Sequence, residues 1–185
     1  FQQHQLIGRL SVLKNVMTGR LGYYPAWRTL WPLPAADRHL GLDCIERVGL
    51  LQYALRRVDR LSGGQQQRVG IARALAQMPS IILADEPVAS LDPETARKVL
   101  SLLYDICRTD GISAVVSLHQ LELARDFADR VVGIADGAVV FDGPPEALSP
   151  DVVDLIYRQR PVEAGVLTEE RESVSPEPAL ALAME

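Results

Sequence analysis

Two adjacent carboxylates, Asp85 and Glu86, close the apolar run "IILA" at residues 81–84. Such a run is the pattern of a strand buried on both faces, and open α/β sheets bind their ligands at the carboxyl ends of strands of this kind. A carboxylate at a partly buried strand end is costly unless a cation or a hydrogen-bond donor offsets it. One chemistry that uses two such acids is phosphoryl transfer to water, with Asp85 holding Mg²⁺ through its water shell and Glu86 polarising the attacking water. A loop ion pair with neighbouring arginines explains the same dipeptide equally well.

Upstream, "LSGGQQQRV" places Ser62 as the cap of a helix that runs to about Gln77. Gly63 and Gly64 would let an anion approach the backbone N–H groups at the positive end of that helix. Alone, this is an ordinary capped helix start. The order carries more: an anion-binding helix start, two acids ending a strand, "SLD" in the next turn, and a further strand ending at His119.

The elements that position these residues follow from periodicity. Asp92 as N-cap and Pro93 at the first helical position open a helix over 93–108, with Ala96, Val99, Leu100, Leu103, Ile106 and Cys107 on one face. "ISAVVSLH" reads as a strand buried on both faces and is followed by an amphipathic helix near residues 120–129. Two short apolar runs joined at Asp136-Gly137 predict an edge hairpin, since that dipeptide tolerates positive φ. Strand and helix alternate, which predicts an α/β fold with a parallel sheet. The first 60 residues, broken by proline and without a clear strand, predict a small helical subdomain.

The division expected is residues 1–8 and 79–160 in a sheet core, 9–78 in a helical subdomain, and 161–185 as a flexible tail rich in Glu, Pro, Ala and Ser. That tail holds six Glu and one Arg, so the remaining 160 residues are balanced at 18 acidic and 18 basic side chains. A general nucleic-acid-binding surface is therefore not indicated. No apolar run is long enough to cross a bilayer, so any membrane association would go through a partner. Cys44, Cys107 and the three histidines form no metal-ligand spacing, and both cysteines read as reduced core residues.

Taken together, these residues resemble an ATP-binding-cassette (ABC) ATPase, a P-loop NTPase-type fold. "LSGGQQQRV" resembles the family's signature motif, "IILADE" its Walker B strand, "SLD" its D-loop, "LHQ" its switch-histidine loop, and "FQQ" its Q-loop. Within the family, "RLSVLKNVMTGRLGYYPAWRTLW" with "LADEPVASLDP", "LHQLELARDFADR" and "VFDGPP" resembles the ATP-binding subunit of phosphonate importers.

The resemblance implies ATP and Mg²⁺ as cofactors and a head-to-tail pair of ATPase subunits. It also implies permease subunits as membrane partners, an indirect link to a periplasmic solute-binding protein, and a place on the cytoplasmic face of the bacterial inner membrane. It gives Glu86 the role of general base, His119 contact with the γ-phosphate, and Asp85 and Gln2 a link to Mg²⁺. Gln2, Ser62, Gly63, Gly64, Gln65 and Asp92 would contact or communicate with nucleotide, several of them across the dimer. The aromatics Tyr23, Tyr24, Trp27 and Trp31 would either receive a coupling helix of the permease or pack the helical subdomain.

One departure is large. No G-x-x-x-x-G-K-S/T phosphate loop is present, because the only lysines are Lys14 and Lys98 and neither follows a glycine. Since the chain opens on "FQQ" without Met, the N-terminal part of the domain is expected to be missing and the chain alone to be inactive. Alternatives are a non-catalytic ABC fragment, the ATPase of an importer for another small solute, or a soluble ABC protein acting on nucleic acid, against which the neutral core argues.

Overall fold

The computed structural model describes residues 6–157 and 179–184. The helical half is held by short elements. Helix α1 (Val12–Met17) is capped by Ser11, whose Oγ accepts from Lys14 N, and helix α2 (Ala35–Arg47) follows two 3₁₀ turns at Thr18–Tyr23 and Ala26–Leu30. Helix α3 (Gly63–Leu75) completes this half. The aromatic-rich segment is tied down at its first part: Arg20 donates from Nε to Asp37 Oδ1 (3.1 Å) and from a guanidinium NH₂ group to the Ala76 carbonyl (3.2 Å). Tyr24 donates to the other oxygen of Asp37 at 2.5 Å, and Tyr23 donates to the Gln77 carbonyl. Arg20 and Asp37 are both buried, so each needs the other.

Strand β1 (Ile81–Asp85) leads into helix α4 (Pro93–Asp110), which begins where its cap and proline predict and buries the predicted face. Strand β2 (Ser113–Leu118), helix α5 (Leu121–Phe127) and strand β3 (Arg130–Ala135) continue the alternation. Strand β4 (Ala138–Gly143) turns back at Asp136 (φ +51°) and Gly137 (φ +75°), the two positive φ values that a tight hairpin requires. Helix α6 (Pro150–Tyr157) packs over this end of the sheet.

The sheet order is β1-β2-β5-β3-β4, where β5 is Ala179–Met184. β1 and β2 pair in parallel, whereas β5 is antiparallel to both β2 and β3, so β1, β2 and β3 share one direction as the alternation predicts. Strand β5 corrects the expectation of a flexible tail. The closing "ALALAM" is a short continuous apolar run, a pattern that a strand inside a sheet satisfies without any visible period. The rest of the expected tail, apart from these six residues, lies outside the described residues.

Burial corrects the two-faced reading of β1 and β2. One face of the pair packs Ile82, Ala114, Val116 and Leu118 into the core, while Ile81, Leu83 and Val115 on the other face are exposed, Leu83 at 76 %. Among the described strands, β1 lies at one end of the sheet. The apolar core itself is continuous, running from Val12 through Val69 and Leu75 to Leu100, Val116 and Val131, and so it crosses the boundary expected at residue 78. Both cysteines are buried within it, and burial raises their thiols above the ordinary value.

Candidate functional site

The parallel register of β1 and β2 sets Asp85 opposite Ser117. The ladder ends there, and the next residue, Glu86, turns into the left-handed region at φ +45°. For a side chain with a Cβ this conformation costs about 1–3 kcal/mol, so surrounding contacts must enforce it. They do so from β2: the Glu86 N–H donates to Ser117 Oγ at 2.9 Å, and the same hydroxyl donates to Asp85 Oδ1 at 2.7 Å.

Two residues beyond Ser117, His119 Nε2 lies 2.6 Å from Glu86 Oε1, with both side chains half-buried. Tyr157 of α6 donates its hydroxyl to the His119 carbonyl at 2.8 Å, and burial raises that phenol above its ordinary value. A small cavity of about 150 Å³ opens beside the pair, lined by Glu86, Val88, Ala89, Leu118, His119 and Gln120. At about 30 Å³ per water this is room for a few solvent molecules next to the Glu86 carboxylate.

The arrangement suits proton abstraction from water. Glu86 supplies a carboxylate that lines the cavity, and the His119 imidazole beside it, also in the lining, orients it. Asp85 adds a hard oxygen donor at an exposed strand end. Among the described residues no group of three or more His, Cys, Asp or Glu could hold a metal ion. A Mg²⁺ ion takes one or two carboxylates and fills the rest of its shell with waters and substrate phosphates, so Asp85 fits the ion in that manner. When bound, the ion would polarise phosphoryl oxygens.

A second cluster forms at the start of α3. Ser62 and Gln65 make a reciprocal capping box: Ser62 Oγ accepts from Gln65 N at 3.4 Å, and Gln65 Oε1 accepts from Ser62 N at 3.0 Å. Gly63 and Gly64 face the turn before α4. A Cβ on Gly63 would stand 3.2 Å from Leu91 Cδ2, and one on Gly64 only 2.4 Å from Thr95 Cγ2. Asp92 belongs to this cluster too, its side chain accepting from Thr95 N at 3.0 Å. Hydrogen bonds to Thr95 hold its carboxyl below the ordinary aspartate value.

The predicted residues therefore fall into two groups: Asp85, Glu86 and His119 at the ends of β1 and β2, and Ser62, Gly63, Gly64, Gln65 and Asp92 around the start of α3. Gln2 lies outside the described residues. Sequence reasoning missed Ser117 and Tyr157. A signal for Ser117 existed, because it precedes His119 by two residues on one strand and so shares its face. For Tyr157 no local signal exists, since its contact spans 38 residues.

The family profile described as "ABC transporter" matches residues 1–89. The chain is 64 % identical over 160 residues to the phosphite import ATP-binding protein PxtA of Stutzerimonas stutzeri, covering 86 % of this chain and 58 % of that protein. It is 62 % identical to the phosphonates import ATP-binding protein PhnC 2 of Cupriavidus metallidurans, covering 86 % and 57 %. Among solved structures, a dimeric ATP-binding cassette in a post-hydrolysis state with ADP and Pi matches with a TM-score of 0.63 and 37 % identity, over 78 % of this chain and 61 % of that one. An inward-facing, putative metal-chelate type ABC transporter matches with a TM-score of 0.74 and 27 % identity, over 80 % and 59 %. The chain thus spans slightly under three-fifths of the length of these two import relatives. With the capped start of α3, the paired acids Asp85 and Glu86, and His119 in one order, and these relatives aligned along most of its length, the chain belongs to the ATP-binding cassettes of ABC transporters and adopts part of their P-loop NTPase fold.

Proposed function

We propose that this chain supplies the hydrolytic half of an ATPase subunit that drives import of phosphonate-type oxyanions. The observation that carries the reading is the Glu86–His119 contact at 2.6 Å, built on a backbone turn that Ser117 holds beside Asp85. Glu86 is the general base: its carboxylate takes a proton from a water in the adjoining cavity as that water attacks the γ-phosphate of ATP. His119 keeps the carboxylate turned toward the cavity and reaches the same phosphate. Asp85 would hold Mg²⁺, with Gln2 the second residue that the family resemblance links to the ion.

The substrate class rests on the relatives, one named for phosphite import and another for phosphonates import; phosphite and phosphonates are both tetrahedral phosphorus oxyanions. The pairing with a second ATPase subunit is supported by the dimeric cassette among the structural relatives. In such a pair Ser62, Gly63, Gly64 and Gln65 face the nucleotide of the opposite subunit, and Asp92 sits beside them at the turn linking the two sites. No described helix is long and apolar enough to cross a membrane. Contact with the permease subunits at the cytoplasmic face of the inner membrane therefore falls to surface residues, and Trp27 and Trp31, 67 % and 62 % exposed around an open groove, fit that task. Tyr23 and Tyr24 hold the subdomain together instead.

The test uses a protein in which this chain replaces the equivalent part of the phosphite-import relative, whose remaining sequence supplies the rest of the cassette. Glu86→Gln should lower ATP hydrolysis by roughly 10² to 10⁴ and leave ATP binding intact, the range expected for a general base. Hydrolysis at the parental rate would remove Glu86 from that role. For substrate, deletion of the gene should abolish growth on a phosphonate or phosphite as sole phosphorus source; normal growth there, with loss of uptake of another solute, would reassign the importer.

A further inference from the structure

The contacts around Ser117 go beyond the roles given to Asp85, Glu86 and His119. Its single hydroxyl has two partners. Because the Glu86 N–H can only donate, the oxygen accepts there, and its own proton must point to Asp85 Oδ1. One side chain thus fixes the main chain of Glu86 and the side chain of Asp85 together.

The position on the strand explains why no other residue could do this. The β1–β2 ladder closes with the Asp85–Ser117 pair, so the amide of Glu86 lies one step past its end. That amide donates to the Ser117 side chain instead of to a ladder carbonyl, and the chain turns away at Glu86 itself, in the left-handed conformation. His119, the residue just past the end of β2 and two after Ser117, meets the Glu86 carboxylate. The end of β2 therefore grips the acidic dipeptide at two places, the backbone through Ser117 and the side chain through His119, while Tyr157 anchors the His119 carbonyl.

We propose that Ser117 is a positioning residue of the hydrolytic site, which acts through Glu86 and Asp85 by holding the base at its working angle and the metal-bearing carboxylate in one rotamer. The proposal rests on the reading of Glu86 as the base. Removing the hydroxyl frees the turn to relax out of the left-handed region, which swings the Glu86 carboxylate from His119, and takes one hydrogen bond from the Asp85 carboxylate.

The test uses the same protein, with this chain joined to the rest of the phosphite-import relative's cassette. Ser117→Ala should lower kcat roughly 10- to 100-fold, the size of one or two hydrogen bonds to charged or strained groups, with the ATP KM changed less than about threefold. The Mg²⁺ concentration for half-maximal rate should rise. Ser117→Thr, which keeps the hydroxyl on a strand-favouring side chain, should restore most of the rate. Hydrogen exchange of the Glu86 amide should accelerate in the Ala variant and not in the Thr variant, while the amides of Val115 and Val116 stay protected. If the Ala variant does not fold, Ser117→Cys, of similar size but a weaker hydrogen bonder, carries the same comparison.

A merely structural serine would lower thermal stability and leave kcat, Mg²⁺ dependence and Glu86 amide exchange per folded molecule unchanged, and that result would overturn the proposal. If Glu86→Gln leaves hydrolysis intact, the reading of the base fails. The exchange measurement would then still report whether Ser117 holds the turn.

Discussion

Gly64 is packed against Thr95 so closely that a Cβ at position 64 would stand 2.4 Å from the Thr95 Cγ2 methyl. Thr95 is β-branched and short, on the first turn of α4, and cannot move away without shifting the helix. Gly64→Ala should therefore destabilise the protein by about 1–3 kcal/mol, the usual cost of overpacking. Thr95→Ser removes the offending methyl, so the double substitution should regain most of the loss in denaturant unfolding. Additive losses would show that glycine is needed at 64 for another reason.

The Arg20–Asp37 pair is the buried ionic contact that joins the aromatic-rich segment to α2, and through the Ala76 carbonyl to the end of α3. Asp37→Ala strands a buried guanidinium and should cost about 3–5 kcal/mol in equilibrium unfolding. Tyr24→Phe removes only one of the two donors to Asp37 and should cost less. Equal effects would mean that the pair is not organised around Asp37.

Leu83 on β1, the end strand among those described, pairs with Val115 across the parallel register, and with Ile81 these residues leave an apolar stripe on the exposed face of the sheet. Such stripes associate. The 185-residue chain should self-associate with rising concentration in sedimentation experiments, and Leu83→Lys should suppress this. A monodisperse parent at high concentration would contradict the expectation.

Acid should loosen the start of α4. The Asp92 carboxyl is held below its ordinary value by hydrogen bonds to Thr95, so its contribution is complete above the unfolded aspartate value near pH 4 and is lost as pH falls through the lower folded value. Asp142 behaves likewise because Arg130 binds it. Asp92→Asn keeps a good cap without a titrating group, so the gap in unfolding midpoint between parent and variant should narrow from pH 7 to pH 3. A gap that does not change with pH would remove Asp92 as a source of acid sensitivity.

The 185-residue chain contains no glycine-lysine phosphate loop, and nothing else in its sequence could hold the β- and γ-phosphates against Asp85 and Glu86 in the family's manner. Alone it should not turn over ATP. Mg²⁺-dependent hydrolysis by the purified chain, abolished by Glu86→Gln, would refute this.

What the sequence determined by itself is what local physics determines. The α4 cap at Asp92 and Pro93, its buried face, the Asp136-Gly137 turn and the acids closing "IILA" are set by neighbours within a few residues. The order of motifs was legible for the same reason, since each motif is a short stretch. The tertiary structure decided what depends on pairs distant in sequence. An apolar run cannot reveal how many of its faces are covered, so β1 and β2 read as doubly buried although Leu83 and Val115 are exposed. The strand at 179–184 showed only a short apolar run without a period, and nothing local ties that run to its partners, β2 and β3, some 45 to 70 residues away in sequence. Aromatics that are tied down and aromatics that are not look alike in a sequence: Tyr24 donates to Asp37 and Tyr23, although itself exposed, donates to the Gln77 carbonyl, while Trp27 and Trp31 lie at the surface. Ser117 gained its place beside Asp85 through strand register, a property of two strands that neither strand's sequence contains.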